Sequence, residues 1–191
     1  MRILTIECSS SVGSVSLTEN DHPIIERSFE NPRGRGALLF TVLEEVLADS
    51  GQFDLVLVGT GPGSYNALRS SIAAAWGIAK ARKIQVQGLC SVLGYDAPEY
   101  FVVGDARSNQ CFFAHVLEGC LTSPIELLSP EIASTRLISG IPVFSTGAPL
   151  LDAEILHPNA TVLSRHAAHA GLAEPVYLKP PHITQSRPKA L

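Results

Sequence analysis

The stretch that decides the fold is GTGPGSYNALRSSIAAAWGIAKARK, Gly59 to Lys83. An apolar run, Asp54 to Val58, enters it as a buried strand. Gly59, Gly61 and Gly63 then give a turn whose backbone can take positive φ or let another group approach closely. The turn opens into a helix with Ser64 at the N-cap, where a side-chain oxygen satisfies one orphan N–H. Such a helix start can hold an anion. It is not a Walker A loop, because no Gly-Lys-Ser/Thr ends it and Pro62 removes a donor. Spacing alone favours a tight strand-to-helix turn without a ligand.

The helix itself says more. On a 3.6-residue wheel Leu68, Ile72, Ala75 and Ala79 make one apolar stripe. Ala67, Ser70, Ser71, Ala74, Gly77, Ile78 and Ala81 make a second stripe of mostly small side chains. Arg69, Ala73, Trp76 and Lys80 remain for the outside, and Trp76 is a large apolar group to leave wet. Two apolar faces ask for two partners. One is the sheet of its own domain. The other is either the rest of this chain or a helix of another molecule. Gly77 costs about 1 kcal/mol relative to Ala in a helix interior, which asks for a packing reason.

Upstream, residues 2–8, 12–18 and 24–29 read as three short strands, turning at Ser10-Ser11 and at Asn20-Asp21. A loop, 31–36, leads to a helix over 37–48. Leu39, Val42, Leu43, Val46 and Leu47 lie on one of its faces and Glu44 and Glu45 on the other, with Leu38 and Phe40 widening the apolar surface. Gln85 to Leu89 is a further strand, so the first half runs β-β-β-α-β-α-β. The second half repeats the plan in reduced form. Strands are expected over 100–105, 111–117, 124–128, 142–147 and 161–164, a short helix over 149–155 and a helical turn or two over 165–172. From Ala173 a proline-rich tail is expected to lie extended over the surface. The expected lobes are 1–97 and 98–191.

The 191 residues are 46% hydrophobic and 17% charged, the profile of a soluble globular protein with a good core. A net charge of −4 carries no electrostatic footprint for nucleic acid, so any contact with RNA must be local or through a partner. No apolar run approaches the roughly 20 residues that span a bilayer, and the opening MRILTIECSS reads as a strand, not a signal peptide. Cys8, Cys90, Cys111 and Cys120 lack metal or disulfide spacing and read as reduced thiols of a cytoplasmic protein.

The opening RILTIECSSSVGSVSL, the glycine turn with its helix, and PVYLKPP near the end resemble the TsaB (YeaZ) family across the whole order of elements. The middle motif is similar to that family's GxGPGSFTGLR followed by small residues. The resemblance implies an α/β protein of the actin-like/Hsp70-like/sugar-kinase superfamily, with two ribonuclease-H-like lobes, the second reduced. It implies a non-catalytic subunit for threonylcarbamoyladenosine in tRNA, working with a TsaD-type catalytic paralogue and a TsaE-type ATPase. A homodimer is implied when the chain is alone, with tRNA met only indirectly. In the family the first two long helices form the interface, which here implies Leu39, Leu43, Arg69, Ser70, Ala74, Gly77 and Ala81. A nucleotide or anion contact would fall on Glu7, Ser9, Gly61, Gly63 and Ser64, with ATP or ADP bound weakly or only within the complex. The sequence departs from the family at Glu7 (usually Asp), at Tyr65, Asn66 and Ala67 (for Phe-Thr-Gly), near Gly34 (usually His) and at Lys179 (for Arg).

Other chemistry is thin. His166 and His169 are three apart with no acid between them, so they read as helix-surface histidines and not as zinc ligands. Glu7 and Asp105 could mimic the paired acids that hold magnesium in the superfamily, but nothing else in the sequence supplies further ligands, so they read as two loop acids at strand ends. Asp105-Ala106-Arg107 resembles the start of the family's second lobe, where a local ion pair is the ordinary explanation. Ser9, Ser10 and Ser11 have no glycine elbow or His partner to make a nucleophile. The expectation is a scaffold subunit with no catalytic or metal residues. The competing class is an enzyme, a sugar- or acyl-kinase-like phosphotransferase or a glycoprotease-like peptidase.

Overall fold

The computed structural model describes residues 1–31, 37–147 and 150–179. Two sheets are stacked, the first covered on its outer face by two helices and the second by one short helix. The first has the order β3-β2-β1-β4-β5, built from β1 (Arg2–Glu7), β2 (Val12–Glu19), β3 (His22–Glu30), β4 (Leu55–Gly59) and β5 (Gln85–Leu89). The meander β1-β2-β3 is antiparallel and β4 and β5 join it in parallel, as crossovers through helices require. Asn20 and Asp21 take φ of 49° and 67° in the β2–β3 turn, the left-handed pair that a two-residue hairpin needs.

Period-two alternation sends β1 and β4 into two cores. Leu4, Ile6, Val56 and Val58 face α1 (Ala37–Asp49) and α2 (Tyr65–Arg82), meeting Leu39, Leu43, Val46, Ile72, Ala75 and Ala79. Ile3, Leu55 and Leu57 face the second sheet, in a core with Tyr100, Val102, Phe112, Phe144 and Leu163. That sheet is β6 (Glu99–Asp105), β7 (Cys111–Leu117), β8 (Cys120–Leu121), β9 (Glu126–Leu128), β10 (Val143–Ser145) and β11 (Glu154–Ile155), in the order β11-β10-β6-β7-β8 with β9 also on β7. Its outer face holds Phe101, Val103 and Phe113 against Ala133 of α3 (Pro130–Arg136). The reduction of the second lobe is in its helices: α3 has 7 residues and α4 (Ala160–Ser164) has 5, against 13 and 18 for α1 and α2.

Three expectations need correction. Residues 161–164 are helical, because Asn159 caps α4, its Oδ1 accepting from the Thr161 and Val162 N–H groups at 2.7 and 3.1 Å. The short helix expected over 149–155 is absent from its described part, where Glu154–Ile155 pairs in parallel with β10. α3 was not among the expected elements although its signal is legible in the sequence: Ser129 as cap, Pro130 at the first position and Glu131 in the first turn. The lobe boundary drawn at 97/98 falls between the 3₁₀ turn Ser91–Leu93 and β6. α4 and the tail nevertheless return to the first lobe. Ala160 N–H donates to Ser14 Oγ at 2.9 Å, and Val176 N–H to the Thr60 carbonyl at 2.8 Å.

Candidate functional site

Two surfaces were singled out by the sequence, the glycine turn and the outer face of α1 and α2. The turn gathers Glu7, Ser9, Gly61, Gly63 and Ser64 into one place, as expected, and closes it. Glu7 is fully buried, its carboxylate accepting from Ser9 N–H at 2.6 Å and from Ser91 Oγ–H at 2.7 Å. Ser91 Oγ accepts from Gly61 N–H at 2.9 Å, and Ser91 N–H donates to the Gly61 carbonyl at 2.8 Å. Ser64 N–H donates to the Ser9 carbonyl at 2.9 Å. The amides of Gly61 and Ser64 are thus spent inside the protein.

The glycines are required by close approach. A Cβ on Gly59 would stand 1.7 Å from Glu7 Oε2, and one on Gly63 would stand 2.1 Å from the Ser9 carbonyl oxygen. Ser64 sits at the N-cap but its side chain makes no capping bond, which corrects the expected role of its oxygen. Burial raises the Glu7 pKa and the bonds from Ser9 and Ser91 pull it back. A phosphate arriving here would meet a buried carboxyl group and amides already bonded. Ser91 was not singled out from the sequence, and no local pattern marks a serine 84 residues away from its acid.

Asp105 is exposed and accepts from Arg107 N–H at 2.9 Å, a bond to the backbone where an ion pair was expected. Among the described residues no group of three or more His, Cys, Asp or Glu side chains is placed to hold a metal. His166 and His169 lie beyond α4, around the 3₁₀ turn Ala167–His169. His166 is half-buried and a Cβ on Gly119 would stand 2.3 Å from its ring, so it is not a helix-surface residue. The departure near Gly34 lies outside the described residues. Lys179 Nζ donates to the carbonyls of Ala106 and Arg107 at 2.7 and 3.0 Å, tying the tail to the second lobe.

On α2 the first stripe is core, since Leu68, Ile72, Ala75 and Ala79 are buried. The second stripe divides. Ser71 is buried, Ala67, Ser70, Ala74 and Ile78 are half-buried, and Gly77 and Ala81 are exposed. A Cβ on Gly77 would meet nothing within 4 Å among the described residues, so no contact described within this chain calls for a glycine there. Trp76 is 54% exposed. On α1 the expectation for Leu39 and Leu43 is overturned: at 2% and 4% exposure they belong to the chain's own core. Leu38 and Phe40 are the exposed apolar residues of that helix, at 41% and 54%.

The charges on these helices are segregated. Exposed Glu44, Glu45 and Asp49 lie on α1, which has no base; exposed Arg69, Lys80, Arg82 and Lys83 lie on α2 and its cap, which have no acid. None of them is in an ion pair among the described residues. No helix among the described residues is long and apolar enough to cross a membrane.

The structure of YeaZ from Pseudomonas aeruginosa superposes with a TM-score of 0.71 at 19% identity, covering 93% of this chain and 99% of that one. The chain has the YeaZ (TsaB) fold. Ethanolamine utilization protein EutJ from Carboxydothermus hydrogenoformans matches more distantly, with a TM-score of 0.50 at 11% identity over 86% of this chain and 89% of its own. Within the YeaZ-fold chain, residues 37–119 match the model of the family TsaD, tRNA N6-adenosine threonylcarbamoyltransferase. The fold likeness extends over nearly the whole chain, whereas the TsaD-family match covers less than half of it. An uncharacterized protein of Mycobacterium leprae is 29% identical over 143 residues, 72% of this chain and 34% of its own length. One of Mycobacterium tuberculosis is 27% identical over 129 residues, 63% of this chain and 61% of its own. The YeaZ-fold chain thus aligns with about a third of the one relative and three fifths of the other.

Proposed function

We propose that this chain is a non-catalytic cytoplasmic subunit for threonylcarbamoyladenosine formation in tRNA. It docks a TsaD-type catalytic paralogue on the outer face of α1 and α2, and a second copy of itself when alone. A TsaE-type ATPase joins the assembly, and tRNA is held chiefly through the partner.

The observation that carries this is Gly77, a glycine in mid-helix with open space where a side chain would be, in a stripe with Ser70, Ala74 and Ala81. Small residues let a second helix approach closely, and the unpaired charges beside them suit a partner with opposite charges in register. The TsaD-family match spans both helices. A phosphotransferase would need the glycine turn to grip phosphate, whereas the Gly61 and Ser64 amides are bonded to Ser91 and Ser9 beside the Glu7 carboxyl. ATP or ADP therefore binds the isolated chain weakly or not at all.

The test is reconstitution with the cognate TsaD-type protein, threonylcarbamoyl-AMP and tRNA, in which the chain should raise modification well above the paralogue alone. Ala74→Arg should abolish that gain, and the homodimer in sedimentation, while circular dichroism stays unchanged. A buried unpaired charge costs several kcal/mol, more than a modest interface absorbs. Full activity of the variant, or modification without the paralogue, defeats the proposal. So does calorimetric ATP affinity in the micromolar range, about −8 kcal/mol.

A further inference from the structure

The flank of α2 that meets the tail carries an aromatic and cationic strip outside the small-residue stripe. Tyr65, in the first turn of α2, stacks on Tyr177 of the tail with ring centroids 5.1 Å apart and planes at 29°. Both rings are substantially exposed, at 40% and 45%. Arg69, one turn along, donates to Tyr65 Oη at 2.8 Å, and its guanidinium carbon lies 5.2 Å from the Tyr65 ring centroid. Two residues beyond Tyr177, Lys179 fastens the tail to the β6–β7 turn. There Arg107, Ser108 and Asn109 are exposed and hold left-handed φ values of 61°, 55° and 55°. None of Arg69, Arg107 and Lys179 is in an ion pair among the described residues. The turn's one carboxylate, Asp105, accepts from Arg107 N–H.

We propose that this strip binds an unpaired nucleobase, with its flanking phosphates, in a single-stranded stretch of RNA. A stacked aromatic pair left open to solvent offers a face to a third ring, and every base has one to give. A guanidinium beside the stack adds cation–π attraction, and cations on either side meet the backbone phosphates. The chain as a whole carries −4 and repels RNA, so attraction must be local, and this strip joins exposed aromatics to unpaired cations. A protein partner could also use exposed tyrosines. Lys179 is held by two carbonyls, so the exposed Arg69 and Arg107 are the cations that meet phosphate. Asp105 already accepts from Arg107 N–H, and the tail's own acid is Glu174, which leaves the strip net positive and favours a polyanion.

The test is fluorescence anisotropy of the full chain against a labelled, unstructured oligoribonucleotide of about twelve nucleotides, within the footprint of a single-strand binding fold. Wild-type binding should weaken with salt at a log–log slope of about −1.4, two phosphates at about 0.7 each. Tyr177→Leu should lose about tenfold in affinity and Tyr177→Phe almost none, because stacking needs the ring and not the hydroxyl. Arg69→Gln should bring the slope down by about 0.7. No saturable binding by the wild type, or wild-type binding by Tyr177→Leu, overturns the proposal. If Tyr177→Leu instead weakens only co-elution with the TsaD-type paralogue, the strip is a protein contact and the proposal fails, while partner docking on α2 stands.

Discussion

Glu7 is a fully buried acid held by two hydrogen bonds, and burial outweighs them, so its pKa in the folded chain lies above the ordinary value. The native state then holds its proton over a pH interval in which the unfolded chain has released it. Stability from this group is complete below the unfolded pKa and is lost as pH rises through the folded one. Glu7→Gln cannot titrate. Its urea midpoint relative to wild type should therefore improve between pH 5 and pH 8, and an equal difference at both pH values would show that Glu7 is not buried as described. Gly59→Ala places a methyl group into the same carboxyl, at 1.7 Å from Oε2. Overpacking of this kind costs about 1–3 kcal/mol. Glu7→Ala should relieve part of that cost in the double variant, so thermal denaturation of the two single and the double variants should be non-additive.

At the scale of the helix, α2 illustrates a conflict between stability and association. A Cβ at Gly77 would meet nothing among the described residues, so Gly77→Ala should stabilise the isolated protein by about 0.5–1 kcal/mol. If a helix crosses closely at that point, the same methyl group should weaken the dimer and the complex with the paralogue. Chemical denaturation and sedimentation equilibrium on one preparation read both effects, and a variant that is more stable and associates as well as wild type would move the crossing away from Gly77. The α2 wheel foretold which residues are core. It did not foretell Leu39 and Leu43, because a family interface named by helix does not say which face of that helix the sheet takes.

Across the whole molecule, the two sheets share a core, and this makes the lobes one unit. Leu163 of α4 is fully buried in it among Ile3 and Leu57 of the first sheet and Tyr100 and Phe144 of the second. Leu163→Ala should cost about 2–5 kcal/mol. Hydrogen exchange should show the amides of β1 and β6 losing protection by the same amount, since both open with that core. Loss confined to β6 would mean that the lobes unfold separately.

The sequence alone determined the first lobe nearly to the residue, because its strands and helices are long enough for apolar periodicity to repeat. It determined the YeaZ-like glycine turn and the small stripe for the same reason, since both are local patterns. In the second lobe every described element but β6, β7 and α3 has five residues or fewer, so over 161–164 one polar cap, Asn159, outweighs propensity. Tertiary structure alone decided that Glu7 reaches Ser91, that Tyr177 lies on Tyr65, and that Lys179 reaches the β6–β7 turn. Those partners are 84, 112 and 73 residues apart, and only the stacking of the two sheets and the return of the tail bring them into contact.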